Sequence, residues 1–177
     1  MAGATGGTGE PTLGDAAFDR LVVEHLPAAL RFAIRLTGDR ESAEDVVQDA
    51  LVRAARGWAA FRGEAAFRTW FSRIVINAFR DRLRRPPLEA MVDEMPDDEA
   101  REPLAAVLAG ELSEIIARHV SALPPRQREV LVLSVYEQFP PAQVAAVLGI
   151  SEANVYSTLH LARQRLKNQL ANYLTEK

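Results

Sequence analysis

Apolar residues recur along this chain at steps of three and four, and no stretch alternates polar with apolar positions as a half-buried strand would. The pattern therefore predicts helices throughout. Asp15–His25 reads as a short helix, and Pro27 suits the first turn of a second one that stops at Gly38. Asp39 is placed to cap a third, along which Val46, Val47, Ala50, Leu51, Ala54 and Trp58 share a face. A break at Arg62 and Gly63 precedes a longer helix with the stripe Phe67, Trp70, Phe71, Ile74, Val75, Ala78, Phe79 and Leu83. Its other side carries Arg73, Asn77, Arg80 and Arg84 at steps of four, three and four, which predicts four long polar groups on one solvent face.

Periodicity then lapses. Pro86 and Pro87 cannot continue a helix, and the stretch to Pro103 is dominated by Asp93, Glu94, Asp97, Asp98, Glu99 and Glu102, the composition of a solvated, self-repelling linker. Helical spacing resumes near Ala105–Ala122 and is closed by Leu123, Pro124 and Pro125. A helix from about Pro125 to Glu137 and a short one from Pro140 to Leu148 follow. Gly149, Ile150 and Ser151 form a tight turn, with Ser151 as N-cap of a long last helix. Ala145, Gly149 and Val155 fit a helix-turn-helix: a small residue for close approach, a glycine in the turn and a branched residue packing the second helix. The same three residues also fit an ordinary helical hairpin. The expected fold class is all-α: a disordered tail over 1–14, a helical bundle over 15–85, an acidic linker over 86–104 and a second helical domain over 105–177.

Composition narrows the chemistry. There is no cysteine, which excludes disulfide scaffolds, thiolate metal sites and thiol catalysis. No apolar run is long enough to span a bilayer, and the glycine-rich start lacks the basic and apolar parts of a secretory signal, so the expected address is the cytoplasm. There is no glycine-rich phosphate loop and no Ser–His–Asp candidate, and His25, His119 and His160 lack ligand spacing. No catalytic residue, metal or cofactor is expected. Glu41, Glu44, Asp45 and Asp49 make an acidic helix start that complements the helix dipole. The formal net charge of −3 hides a strong asymmetry, because residues 53–85 hold nine arginines against Glu64 and Asp81. A concentrated basic stripe is the electrostatic footprint of phosphate binding.

These residues also carry a family resemblance. The run Thr37-Gly38-Asp39-Arg40-Glu41-Ser42-Ala43-Glu44-Asp45-Val46-Val47-Gln48-Asp49 resembles the conserved block of region 2 in the sigma-70 family. So do Phe61-Arg62-Gly63-Glu64, Thr69-Trp70, Arg73-Ile74, Asn77, Asp81 and Arg84-Arg85. Leu123-Pro124-Pro125-Arg126-Gln127-Arg128-Glu129-Val130-Leu131 resembles the opening of region 4, and Leu148-Gly149-Ile150-Ser151 its helix-turn-helix. The two-domain length without a region 3 is similar to the extracytoplasmic-function, or group IV, sigma factors. The resemblance implies a non-enzymatic bacterial transcription initiation factor, monomeric when free. It implies that Asp45, Val46, Gln48, Asp49 and Val52 dock on the clamp helices of the largest catalytic subunit of core RNA polymerase. It implies that Arg62, Gly63, Asn77, Arg80, Arg84 and Arg85 bind and open the −10 element of promoter DNA, the loop over Phe61–Ala66 capturing a flipped base. Ser151, Asn154, Tyr156, Ser157, His160 and Arg163 would bind the −35 element, and an anti-sigma factor would be a further partner. Trp70, Phe71 and Phe67 are expected in the core rather than stacked on bases.

The last helix departs from the family pattern. Asn154 stands where threonine is usual, Tyr156 where lysine is, and Thr158 and Leu161 where arginines are. With three cations fewer, −35 binding is expected to be weaker and less salt-sensitive, since each phosphate contact contributes about 0.9 to the salt slope. Two other readings stay open: a sigma-like interaction protein with impaired −35 binding, and an autonomous helix-turn-helix regulator.

Overall fold

The computed structural model describes residues 13–63, 66–84 and 114–175, and everything described is helix or short connection. The tail to residue 12, residue Arg85, the acidic linker over 86–104 and the stretch 105–113 lie outside the described residues. Helix α1 runs Leu13–Thr37, α2 Arg40–Gly57 and α3 Phe67–Arg84, with a single 3-10 turn at Trp58–Ala60 after α2. The second half has α4 over residues 114–121, then α5 Pro125–Leu131, a π turn Val132–Tyr136, α6 Pro141–Leu148 and α7 Glu152–Thr175.

The two helices expected on either side of Pro27 are one, and it starts at Leu13 instead of Asp15. Proline inside a helix costs about 3 kcal/mol because one hydrogen bond is lost and the ring crowds the preceding turn. Here Pro27 lies on the exposed side, where water can serve the carbonyl that loses its donor. A continuous stripe through Phe18, Leu21, Leu26, Ala29, Phe32, Ala33 and Leu36 packs into the core. Burying each large member fully stabilises by about 1.5–3 kcal/mol, so the stripe outweighs the break.

Gly38 ends α1 at φ +95°, a conformation that favours glycine, and donates its N–H to the carbonyl of Ile34 at 2.8 Å. Asp39 then caps α2 as expected, its carboxylate accepting from the N–H of Ser42 at 2.7 Å. Val46, Val47, Ala50 and Ala54 are buried against α1 and α3. Gly149, at φ +66°, ends α6, and Ser151 Oγ accepts from the N–H of Asn154 at 3.2 Å to start α7. Ala145 and Val155 are both buried, which gives the helix-turn-helix packing foreseen from their spacing.

One hydrophobic core runs through both halves. Helix α3 packs on α6, and α1 on α5 and the π turn. This packing explains two departures in α3. Ser72 and Ile76, outside the expected apolar stripe, are buried, whereas Leu83 at the end of the stripe is 51% exposed.

Candidate nucleic-acid interface

The outer face of α2 presents Asp45, Gln48 and Val52 to solvent, with Asp49 half-buried. Val46, expected on the same docking face, is 2% exposed and belongs to the core, so it cannot meet a partner. At about 3.6 residues a turn, positions 45, 49 and 52 share a face that 46 does not. The carboxylates are already engaged. Arg53 donates to both oxygens of Asp49, at 3.1 and 2.6 Å, and reaches across to Asp81 of α3 at 2.6 Å. Those hydrogen bonds, Asp49 first and Asp81 next, raise the Arg53 guanidinium above its ordinary range. Arg82 of α3 donates to Asp45 at 2.7 Å and to Ser42 at 3.1 Å. Solvent-exposed pairs of this kind contribute at most about 1 kcal/mol, so an incoming basic partner can exchange them cheaply.

On α3, Arg73, Asn77 and Arg84 are exposed, and Arg62 and Gly63 are exposed in the loop before it. Gly63 has φ +72°, and among the described residues nothing lies within 4 Å of where a Cβ would stand, so its backbone conformation favours glycine. The loop is anchored by an aromatic cluster. Phe61 lies 4.8 Å from Trp70 and 5.4 Å from Trp58, ring centroid to centroid, and Phe67 lies 5.6 Å from Trp70. Trp70, Phe71 and Phe67 thus pack among themselves and their neighbours.

Arg80 does not share the solvent face foreseen for it. Its guanidinium makes a two-pronged contact with Glu129 of α5, Nε at 2.8 Å and Nη2 at 2.7 Å. Glu129 is 2% exposed and also accepts from Arg126 at 3.1 Å. Hydrogen bonding to Glu129 holds Arg80 above the ordinary guanidinium range, against the opposing pull of burial. The four-three-four spacing described one face of an isolated helix, and the packing of the second half removes one of its members.

Three more arginines reach across the same seam. Arg68 donates to the Glu137 carboxylate at 2.9 Å and to the Glu137 carbonyl at 2.6 Å, and lies 4.6 Å over the Phe139 ring. Arg35 approaches Glu137 at 3.9 Å and stacks 4.6 Å from the centroid of Tyr136. Arg128 runs the other way, from α5 to the carbonyl of Leu36 at the C-terminal end of α1, and to Leu123 at 3.0 Å. Burial pulls the Arg128 guanidinium down, with the charge of Glu129 partly opposing. Glu129, Glu137, Arg68 and Arg128 were not among the expected functional residues. The signal available was the repeat Ser72, Ile76, Arg80 at steps of four, a second interrupted stripe beside the first.

In the second half, Ser151, Asn154, Tyr156, Ser157, His160 and Arg163 are all exposed on α7 or at its cap. They cover the first three turns of the helix that follows the turn, the part that enters a major groove in helix-turn-helix proteins. Tyr156 is 60% and Leu161 52% exposed.

The chain matches the family models for sigma-70 region 2 over residues 21–86 and sigma-70 region 4 over residues 113–166. It is 30% identical over 172 residues to the RNA polymerase sigma-H factor of Pseudomonas aeruginosa, covering 90% of this chain and 89% of that one. It is 34% identical over 161 residues to the ECF RNA polymerase sigma factor SigM of Mycobacterium tuberculosis, covering 89% and 79%. Among solved structures it resembles CnrH in complex with the cytosolic domain of CnrY, with TM-score 0.65, 31% identity and 89% of both chains covered. The fold is also shared with RpoE of Bartonella quintana in complex with the anti-sigma factor NepR, at TM-score 0.71 and 24% identity, covering 88% and 97%. Two matched regions in order, on two domains with the geometry described, leave one assignment: the chain belongs to the sigma-70 family, among its extracytoplasmic-function members, as a transcription initiation factor that directs RNA polymerase to promoters.

Proposed function

We propose that the two halves divide the promoter between them: the first docks on core polymerase and opens the −10 element, and the second holds the −35 element. The observation that carries this reading is the exposed polar face of α3, Arg73, Asn77 and Arg84, lying beside the separate acidic face of α2. One face suits phosphates and unpaired bases. The other, with Asp45, Gln48, Asp49 and Val52, suits a basic coiled coil such as the clamp helices of the largest catalytic subunit. Arg62, Gly63, Arg84 and Arg85 complete the −10 surface with Asn77, and Arg80 joins it when released from Glu129. Flipping a base costs a few kcal/mol, and the anchored loop around Gly63 is the place where a receiving pocket lowers that cost. Ser151, Asn154, Tyr156, Ser157, His160 and Arg163 meet the −35 duplex, Asn154 by paired hydrogen bonds to an adenine.

The protein itself carries no catalytic residue, and nucleotide transfer stays with the polymerase. It acts in the cytoplasm, in keeping with the absence among its described residues of any helix long and apolar enough to cross a membrane. An anti-sigma factor is its expected regulator, since RpoE and CnrH, the structural relatives above, were each solved with a partner bound.

Run-off transcription tests the reading. The purified protein, added to core polymerase from a high-GC bacterium with a genomic fragment library, should give discrete starts sharing −10 and −35 sequences. Asp45→Lys with Asp49→Lys should abolish core binding, whereas Asn77→Ala with Arg84→Ala should keep core binding and lose promoter opening. Core binding without starts at any template would instead favour an interaction protein whose altered last helix no longer holds DNA. Duplex binding by the free chain as a dimer would favour an autonomous regulator.

A further inference from the structure

We infer that Leu161 sets a base preference of the second half, by laying its side chain on the C5-methyl group of a thymine in the major groove of the −35 duplex. This rests on the assignment of α7 to that duplex proposed above, and names the base that one further residue reads. A helix turns by about 100° per residue, so Val155, Leu159, Ala162 and Leu166 form the side of α7 that packs into the core. The opposite side is the line Ala153, Ser157, Leu161 at steps of four, with Gln164 beside it, and all four are exposed. Leu161 is 52% exposed, so an apolar side chain stands uncovered at the centre of the face that meets DNA.

The cations of α7 lie to the sides of that line. Arg163 and Lys167 fall on one flank and Arg165 on the other, all three exposed. A major groove is about 12 Å wide and admits one helix. An uncharged line therefore faces the base edges while the flanking cations face the phosphates of the two strands. The base edges then meet a restricted chemistry. Paired recognition of guanine needs arginine or lysine, and the amino group of cytosine needs a carboxylate; the central line has neither. Two serines near the start of α7 are engaged by the helix itself. Ser151 Oγ accepts from the N–H of Asn154 at 3.2 Å, and Ser157 Oγ donates to the carbonyl of Asn154 at 3.2 Å. The Asn154 side chain serves adenine, as proposed above, and Leu161 serves the apolar group that the groove displays, the thymine methyl. The contact also discriminates by exclusion, because over cytosine the same side chain would cover a polar edge without supplying a partner.

Replacing thymine by uracil removes that methyl group and nothing else. Holoenzyme is assembled from core polymerase and the full chain, and its affinity is measured for promoter duplexes recovered from the run-off assay, with each −35 thymidine replaced singly by deoxyuridine. One replacement should weaken binding by about fourfold, the worth of one buried CH2 group. Leu161→Ala should weaken binding to the ordinary duplex and erase the deoxyuridine penalty at that position alone. Leu161→Gln, similar to leucine in helix propensity, should erase it as well, so the test survives the loss of either variant to misfolding. Leu161→Met should keep the penalty. A role confined to folding would lower binding to every duplex equally and leave the penalty in place. The inference is overturned if no −35 thymine responds to loss of its methyl group, or if the penalty persists in folded Leu161→Ala or Leu161→Gln. Failure of the −35 assignment is read separately, from Arg163→Ala and from a scrambled −35 sequence. If these weaken binding and no thymine responds, the assignment of α7 stands and the methyl contact falls; if neither weakens binding, both fall.

Discussion

Gly38 offers a test of how the two halves meet that does not depend on charge. A Cβ built at this position would lie 2.8 Å from Cβ and 3.3 Å from Oγ of Ser121, across the seam at the end of α4. Gly38→Ala therefore imposes two separable costs. The first is backbone strain at φ +95°, about 1–2 kcal/mol for a side-chain-bearing residue. The second is the collision with Ser121, comparable to overpacking a core and costing about 1–3 kcal/mol. Ser121→Gly removes the atom that is struck and, at a helix end, should cost no more than about 1 kcal/mol alone. Urea unfolding of the two single variants and the double variant then forms a cycle. The double variant should be more stable than the sum of the singles by about 1–3 kcal/mol, with the backbone strain remaining. In thermal melts of a chain this size each kcal/mol moves the midpoint by roughly 2–4 °C, so the rescue is readily resolved. If the halves part to avoid the clash, the apolar seam they expose still lowers stability and Ser121→Gly still restores it. Strict additivity would refute the contact between Gly38 and Ser121, and with it the packing of α1 on the second half.

Other outcomes follow from single features. Asp39→Ala removes the acceptor for the N–H of Ser42 and should cost about 1 kcal/mol by urea unfolding, with Asp39→Asn close to unchanged. Phe139→Ala should cost about 3–5 kcal/mol by the same assay, since the ring is 5% exposed and supports Arg68. Arg163→Ala should reduce the salt slope of −35 binding by about 0.9 uniformly across sequences, whereas Asn154→Ala should relax preference at one base pair at a cost of about 1–3 kcal/mol. Stability should show no dependence on Arg53 or Arg80 between roughly pH 7 and pH 9. Their guanidinium groups are held above the ordinary range when folded, so their contribution is complete below that range and is lost only as pH rises through the folded value.

Much of this architecture was legible in the chain itself. The caps at Asp39 and Ser151, the glycine turns at 38, 63 and 149 and the stripes of α2 and α3 are local, and local rules locate them. Pro27 misled because a local penalty was overruled by the continuity of an apolar stripe on both sides of it. Val46 misled because a motif placed in a docking block need not point outward at every position, and helical phase turns it into the core. Arg80 misled for a different reason. Its partner lies 49 residues away in the other half, and no periodicity within α3 encodes that meeting. The departures of α7 were readable residue by residue, since Asn154, Tyr156 and Leu161 stand exposed on that helix.

The distribution of chromophores across the seam has a practical consequence. Both tryptophans, Trp58 and Trp70, sit in the aromatic cluster of the first half, and all three tyrosines lie in the second. Tyrosine emission overlaps tryptophan absorption, so a tyrosine close to the cluster passes its excitation on and stays dark. Tyr136 stacks on Arg35 of the first half, so any parting of the halves changes the surroundings of that ring. The unlabelled protein is in this sense its own optical gauge: a brightening of tyrosine, with tryptophan colour unchanged, would mark in real time the moment when one half lets go of the other.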